Sequence, residues 1–117
     1  MAIPVATHYK LIFFIPHDHK ERVKEALFVQ GAGRYQGYCR CAWETKGMGQ
    51  FQPERDSQPY IGQADKLTQL EEYRVEVLCQ ASCLQQVITA LLATHPYDVP
   101  AYEVYPILTA ENIQTIK

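Results

Sequence analysis

Long apolar runs, an excess of charge of either sign, and serine are all scarce in this chain of 117 residues. The longest apolar stretch, Leu11 to Ile15, falls far short of the ~20 residues that span a bilayer, so no membrane partner is expected. It also lacks the preceding charged segment and the following small-residue cleavage site of a secretory leader, which points to the cytoplasm. Eleven basic side chains against 13 acidic ones leave a formal charge of −2, and without a basic field a nucleic-acid partner bound through phosphates is excluded. The only serines are Ser57, in a polar stretch, and Ser82, at the start of a helix pattern, so a Ser-His-Asp arrangement lacks a free nucleophile. A Cys-His pairing stays open. The four cysteines, Cys39, Cys41, Cys79 and Cys83, fit free thiols in a reducing compartment.

What is present is the composition of one globular domain over residues 1–117, with 47% apolar or aromatic and 21% charged residues. A chain this long buries about two-thirds of its unfolded surface and needs neither metal nor disulfide to fold. Tyr9 to Pro16 is a β-branched and aromatic run, read as a buried strand. Asp18 and Glu21 have capping-box spacing for a helix over 18–30, which Gly31 and Gly33 end. Tyr38 to Thr45 alternates as a strand, and Gly47-Met48-Gly49 reads as a turn into a second extended piece at Gln50 to Gln52. Pro53 to Gln63 reads as a long loop, and Leu70 to Cys79 as a strand with Tyr73, Val75, Val77 and Cys79 on its dry face. Ser82 and Gln85 cap a second helix carrying Leu84, Val87, Ile88, Leu91 and Leu92, which Pro96 stops. Ala101 to Leu108 is a last strand, and Thr109 to Lys117 adds a short helical turn. Strand, helix, hairpin, strand, helix, strand closes most simply as an α+β, ferredoxin-like split βαβ sandwich, an antiparallel sheet with two helices on one face. The bare face carries apolar groups too, so a second copy of the chain is expected to cover it.

Four places could carry chemistry. Gly31-Ala32-Gly33-Arg34 has the glycines of a phosphate loop but follows a helix instead of opening one, which favours a helix cap and leaves Arg34 to meet an anionic ligand or a neighbouring chain. Cys39 and Cys41, two apart on the expected strand, share a face and could hold a soft ion such as copper or zinc, though the second cysteine pair of a structural zinc site is missing. Glu72 and Glu76 flank Arg74 and read as an ion network. In the fourth, His95 to Tyr102, two prolines hold an imidazole, a phenol and a carboxylate in a short arc, either a pre-organised site at His95, Tyr97 and Asp98 or simply a helix stop and strand start.

The motifs GAGRYQGYCRCAWETKGMGQFQP, PYIGQ with GQADKL, EEYRVEV and HPYDVPAY, in this order, resemble the PII-like or CutA-like insert domain of the NIF-three-like (NGG-one-interacting-factor-like) family. The resemblance runs from the first strand to Tyr105. It implies a stand-alone copy of a domain that interrupts or caps a larger metal-binding domain, and, from PII and CutA, a trimer. It places the family's glycine-arginine turn on Gly31, Gly33 and Arg34, its tyrosine, cysteine and tryptophan on Tyr38, Cys41 and Trp43, and its glycine-rich hairpin on Gly47, Gly49, Gln50 and Phe51. Cys39, Arg40 and Asp98 depart from its pattern, and the ligands of the family's dinuclear metal site belong to the other domain.

Two functions compete. One is a non-catalytic regulatory or small-ligand-binding homo-oligomer, most simply a trimer, that takes a small molecule or anion through Arg34, Trp43, His95, Tyr97, Asp98 and Tyr102. The other is a small copper- or zinc-handling protein, or a hydrolase, built on His95, Tyr97 and Asp98, with Cys39, Cys41 and His95 as candidate ligands of a divalent or soft ion.

Overall fold

The computed structural model describes residues 6–113. Strand β1 (His8–Ile15) leads into helix α1 (His17–Val29); strands β2 (Ala42–Phe51) and β3 (Thr68–Gln80) follow. A 3-10 turn (Ala81–Cys83) opens helix α2 (Leu84–Thr94), and strand β4 (Tyr102–Ile107) and a single helical turn, α3 (Ala110–Ile113), complete the order. The sheet order is β2-β3-β1-β4 with all pairs antiparallel, which is the expected ferredoxin-like sandwich. The end of the predicted tail, 114–117, lies outside the described residues.

Strand β1 is central because it is apolar on both faces. Leu11, Phe13 and Ile15 are fully buried against Val23 and Leu27 of α1, Val75 and Val77 of β3, and Val87 and Leu91 of α2. Each such side chain contributes about 1.5–3 kcal/mol through the surface it removes from water. On the other face a row crosses all four strands as Trp43, Glu76, Ile12 and Glu103; Ile12 is buried there while Trp43 is 69% exposed. Lys10 and Arg74 pair with Glu76 beside that row.

Local signals fail at several points. Neither helix uses its expected cap: α1 starts one residue before Asp18 from a Pro16 N-cap, α2 starts from Cys83, and neither cap makes a side-chain hydrogen bond. No hairpin turn forms at Gly47 to Gly49. Those residues continue β2 opposite Glu72, Glu71 and Leu70, and the chain reverses in the longer 52–67 segment. Residues 34–41 are a tight turn instead of a strand, with a Tyr35–Tyr38 bridge and positive φ at Gln36, Gly37 and Arg40. Cys39 and Cys41 therefore do not share a strand face.

Gly31 and Gly33 do end α1. The Ala32 N–H reaches back to the Leu27 carbonyl at 3.1 Å, and Gly33 donates to Leu78 O at 2.7 Å, so that amide is spent on the sheet and not on an anion. At the far end, α2 stops with His95 in an extended conformation. Its buried ring donates from Nε2 to the Phe14 carbonyl at 2.7 Å and accepts the Tyr97 N–H at Nδ1 at 3.1 Å, which pins the α2–β4 connection to β1. Burial pushes the imidazole below its ordinary range, against the pull of the Phe14 carbonyl and Glu72.

Gly33 has φ +81°, and a Cβ there would meet the Cys41 backbone at 2.9 Å; Gly37 has φ +90° with open space around it. Gly33→Ala is expected to cost about 3 kcal/mol from strain plus overlap, and Gly37→Ala about 1 kcal/mol from strain alone. Urea denaturation checks this, and equal losses would refute it. The pH dependence follows from the neutral His95. Because its native affinity for a proton is below that of the unfolded chain, its contribution is complete above the unfolded value of about 6.5 and fades as pH falls below it. Stability measured from pH 7.5 to 5 is expected to decline less steeply in His95→Gln than in the wild type.

Candidate functional site

A cavity of about 550 Å³ opens at the end of the sheet where β2 finishes, β3 begins and the α2–β4 connection passes over Phe14. Its walls are largely apolar: Phe14, Phe51, Pro53, Tyr60, Tyr97 and Val99. The volume lies in the range of small-molecule pockets.

Each wall is held by an identifiable contact. The 52–67 segment is anchored by Asp65 N–H to the Pro53 carbonyl at 2.7 Å and by Gly62, whose φ of +98° lets it sit against Thr68, Phe51 and Pro53. Arg22 on α1 donates to the Thr94 carbonyl and to His19 Nδ1, both at 3.0 Å. Since arginine only donates, His19 is left with Nε2–H to give to the Tyr60 hydroxyl at 3.0 Å. The Tyr60 ring then lies 6.4 Å from Tyr97, whose ring is 4.8 Å from His95. The loop is thereby tied to α1 on one side and faces the proline arc on the other.

The charged groups lining the cavity are acidic, beside the neutral Gln50, Gln52 and Ser57. Tyr97 donates its hydroxyl to Glu72 at 2.6 Å, and burial followed by that carboxylate pushes the phenol well above the tyrosine range. Glu72 reaches this position because Gly49, diagonal to it on β2 and two residues beyond its direct partner Gly47, has no side chain. A Cβ on Gly49 would come within 1.9 Å of the Glu72 carboxylate. Asp98 and Glu54 also line the cavity, and among the described residues no lysine or arginine does.

The sequence-predicted residues divide. Tyr97 and Asp98 line the cavity, and His95 stands behind Tyr97 with both ring nitrogens given to backbone groups. Tyr102 is partly exposed on β4 opposite Phe13. Trp43 lies on the helix-free face, its indole N–H bonded to Thr45 at 3.2 Å. Exposed Arg34 follows Gly33, which is bonded to Leu78, six residues along β3 from Glu72. At about 3.4 Å per strand residue that is roughly 20 Å, so Arg34 does not balance Asp98. Glu72 itself is outside the expected ion network, where Arg74 pairs with Glu76 at 3.5 Å. The signal that could have found it was Gly49, diagonal to it on β2.

Among the described residues no three His, Cys, Asp or Glu side chains converge to hold a metal ion. Cys39 is exposed, and Cys41 reaches only the Cys39 carbonyl, at 4.0 Å. Cys79 and Cys83 lie buried with sulfurs 3.4 Å apart, and burial, then the neighbouring thiol, pushes Cys79 up to about 12, a packed thiol and not a reactive one.

No family model matches the chain. It is 39% identical over 99 residues to a protein of Halalkalibacterium halodurans named GTP cyclohydrolase 1 type 2 homolog, covering 85% of this chain and 27% of that one. The Bacillus subtilis protein of the same name is 36% identical over 98 residues, 84% of this chain and 26% of that one. The chain thus spans about a quarter of the length of the curated relatives it matches. Among solved structures, a Bacillus cereus protein related to NIF3 superposes with TM-score 0.77 at 33% identity, over 91% of this chain and 28% of that one. CutA1 of Shewanella sp. SIB1 superposes with TM-score 0.67 over 96% of this chain and 94% of its own, but at 16% identity, a likeness of fold. By sequence and by fold, the chain is a CutA-like relative of one segment of the NIF3-type proteins named GTP cyclohydrolase 1 type 2 homolog.

Proposed function

We propose that the 117 residues act as a single, non-catalytic small-ligand-binding module that works as a homo-oligomer, a trimer, in the cytoplasm. The observation that carries this reading is the cavity at the end of the sheet, walled by elements that the His95 and Tyr60 contacts hold in place before any ligand arrives. Binding is favoured over chemistry because the titratable groups there are occupied or unsuited to it. The His95 nitrogens are both engaged, the Tyr97 phenol is raised, and Ser57 gives its hydroxyl proton to the Glu54 carbonyl. Turnover of GTP, suggested by the relatives' name, fits the cavity poorly, since a triphosphate there would face Glu54, Glu72 and Asp98 with no lysine or arginine among the described residues of the lining.

The oligomer reading rests on the helix-free face. Trp43 is 69% and Tyr105 47% exposed there, beside Ile12 and Leu78, and a second copy laid on it would remove that surface from water.

A thermal-shift screen of small molecules against the full chain tests the binding function. Val99, 80% exposed on the rim, is replaced by tryptophan to fill the cavity. Compounds that raise the wild-type melting temperature are expected to lose that effect in Val99→Trp, and equal shifts in both proteins would contradict the assignment. Sedimentation at micromolar concentration is expected to give the mass of a trimer, reduced by Trp43→Glu; a stable wild-type monomer would refute assembly.

A further inference from the structure

The ligand-binding reading leaves open the chemistry of the ligand, and the cavity's walls bear on that. Glu72, Asp98 and Glu54 line it, and among the described residues none of the three has a lysine, arginine or histidine ion pair. Most carboxylates elsewhere on the sheet and α1 are ion-paired, although Glu103 on β4, like Glu72, accepts a tyrosine hydroxyl, from Tyr105. Glu44 is clamped by Lys20 and Lys24, Glu25 by Arg40, and Glu71 by Lys46. Arg74, opposite Phe14 and two residues along β3 from Glu72, is paired with Glu76 at 3.5 Å; Arg22 is committed to Thr94 and His19, and Arg55 to Asp65 at 3.6 Å.

Glu72 is also held at its post. One oxygen accepts the Tyr97 hydroxyl at 2.6 Å, and the other packs where a side chain on Gly49 would stand. A carboxylate offers about four acceptor positions, so a single phenol leaves Glu72 with capacity to receive a further donor. Around it stand the rings of Phe14, Phe51, Tyr60 and Tyr97, whose faces attract a cation and whose bulk suits a flat apolar body.

We infer that the cavity binds an organic cation, a small molecule with a protonated amine on a flat apolar body, the amine against Glu72 and Asp98 and the body among Phe14, Phe51 and Tyr60. This deepens the proposed ligand-binding function and rests on it. An anion of the same shape would be set against carboxylates with no lysine or arginine among the described residues of the lining.

The test uses the intact chain and three probes of one shape: 2-phenylethylamine, 2-phenylethanol and 3-phenylpropanoate, titrated at pH 7 by calorimetry or ligand-observed NMR. The amine is expected to bind about tenfold more tightly than the alcohol, and the propanoate more weakly than either. Glu72→Gln keeps the side chain's volume and its acceptor for Tyr97; it is expected to lower amine affinity about tenfold while the alcohol changes less than about twofold. Asp98→Asn, on an exposed residue, is expected to weaken the amine severalfold without loss of fold. If amine and alcohol bind equally, if the propanoate binds best, or if neither substitution affects the amine, the cation inference falls while the ligand-binding reading stands. If none of the three probes binds, the cation inference falls, and the thermal-shift screen against Val99→Trp alone decides the ligand-binding reading.

Discussion

The structure depends on strand β1 being buried from both sides and along both edges. Leu11, Phe13 and Ile15 leave no alternative to a place beneath α1 and α2, while Ile12 and Phe14 on the opposite face favour neighbours on each edge. A central strand flanked by β3 and β4, with two helices on one side, follows from that single apolar run. The remaining elements have less to bury. Strand β2 holds only the outer edge, where exposed and half-buried residues alternate irregularly.

The cavity is a consequence of where β1 stops being paired. Strand β4 begins opposite Phe13, and one residue further along β1 the Phe14 carbonyl is met by the His95 imidazole. That bond fixes the arc from His95 to Ala101 at the sheet's end and turns Tyr97 toward Glu72. A neutral, doubly bonded histidine is a strut: its loss would loosen the arc without removing a reacting group. On the other wall Gly49 admits the Glu72 carboxylate, so the two sides meet through one phenol–carboxylate bond.

Much of this was legible in the chain, because burial imposes periodicity. The run Leu11 to Ile15, the alternation of Tyr73, Val75, Val77 and Cys79, and the spacing of Val87 and Leu91 each mark a surface that the core does cover. The illegible parts are those where local preference and tertiary pairing disagree. Gly47 and Gly49 carry turn chemistry, yet ten residues of β2 pair with β3 without a break, and Gly49 serves a neighbouring strand's side chain. Cys39 and Cys41 alternate as a strand would, but Arg40 between them adopts φ +57°. Arg34 and Asp98 are both polar and near glycine or proline, and only the three-dimensional path places them at opposite ends of β3. Glu72 looked like one more member of a charged strand face; the contact that distinguishes it comes from a residue 25 positions away.

A titration followed by two-dimensional amide NMR of the labelled chain measures the location of the site directly. Adding 2-phenylethylamine is expected to shift the amides of the non-proline residues in 49–54, 57–61 and 97–101 together with Glu72, and to leave Arg34, Cys39 and Trp43 unmoved. Shifts centred on the helix-free face around Trp43, or on the turn at Arg34, would contradict it.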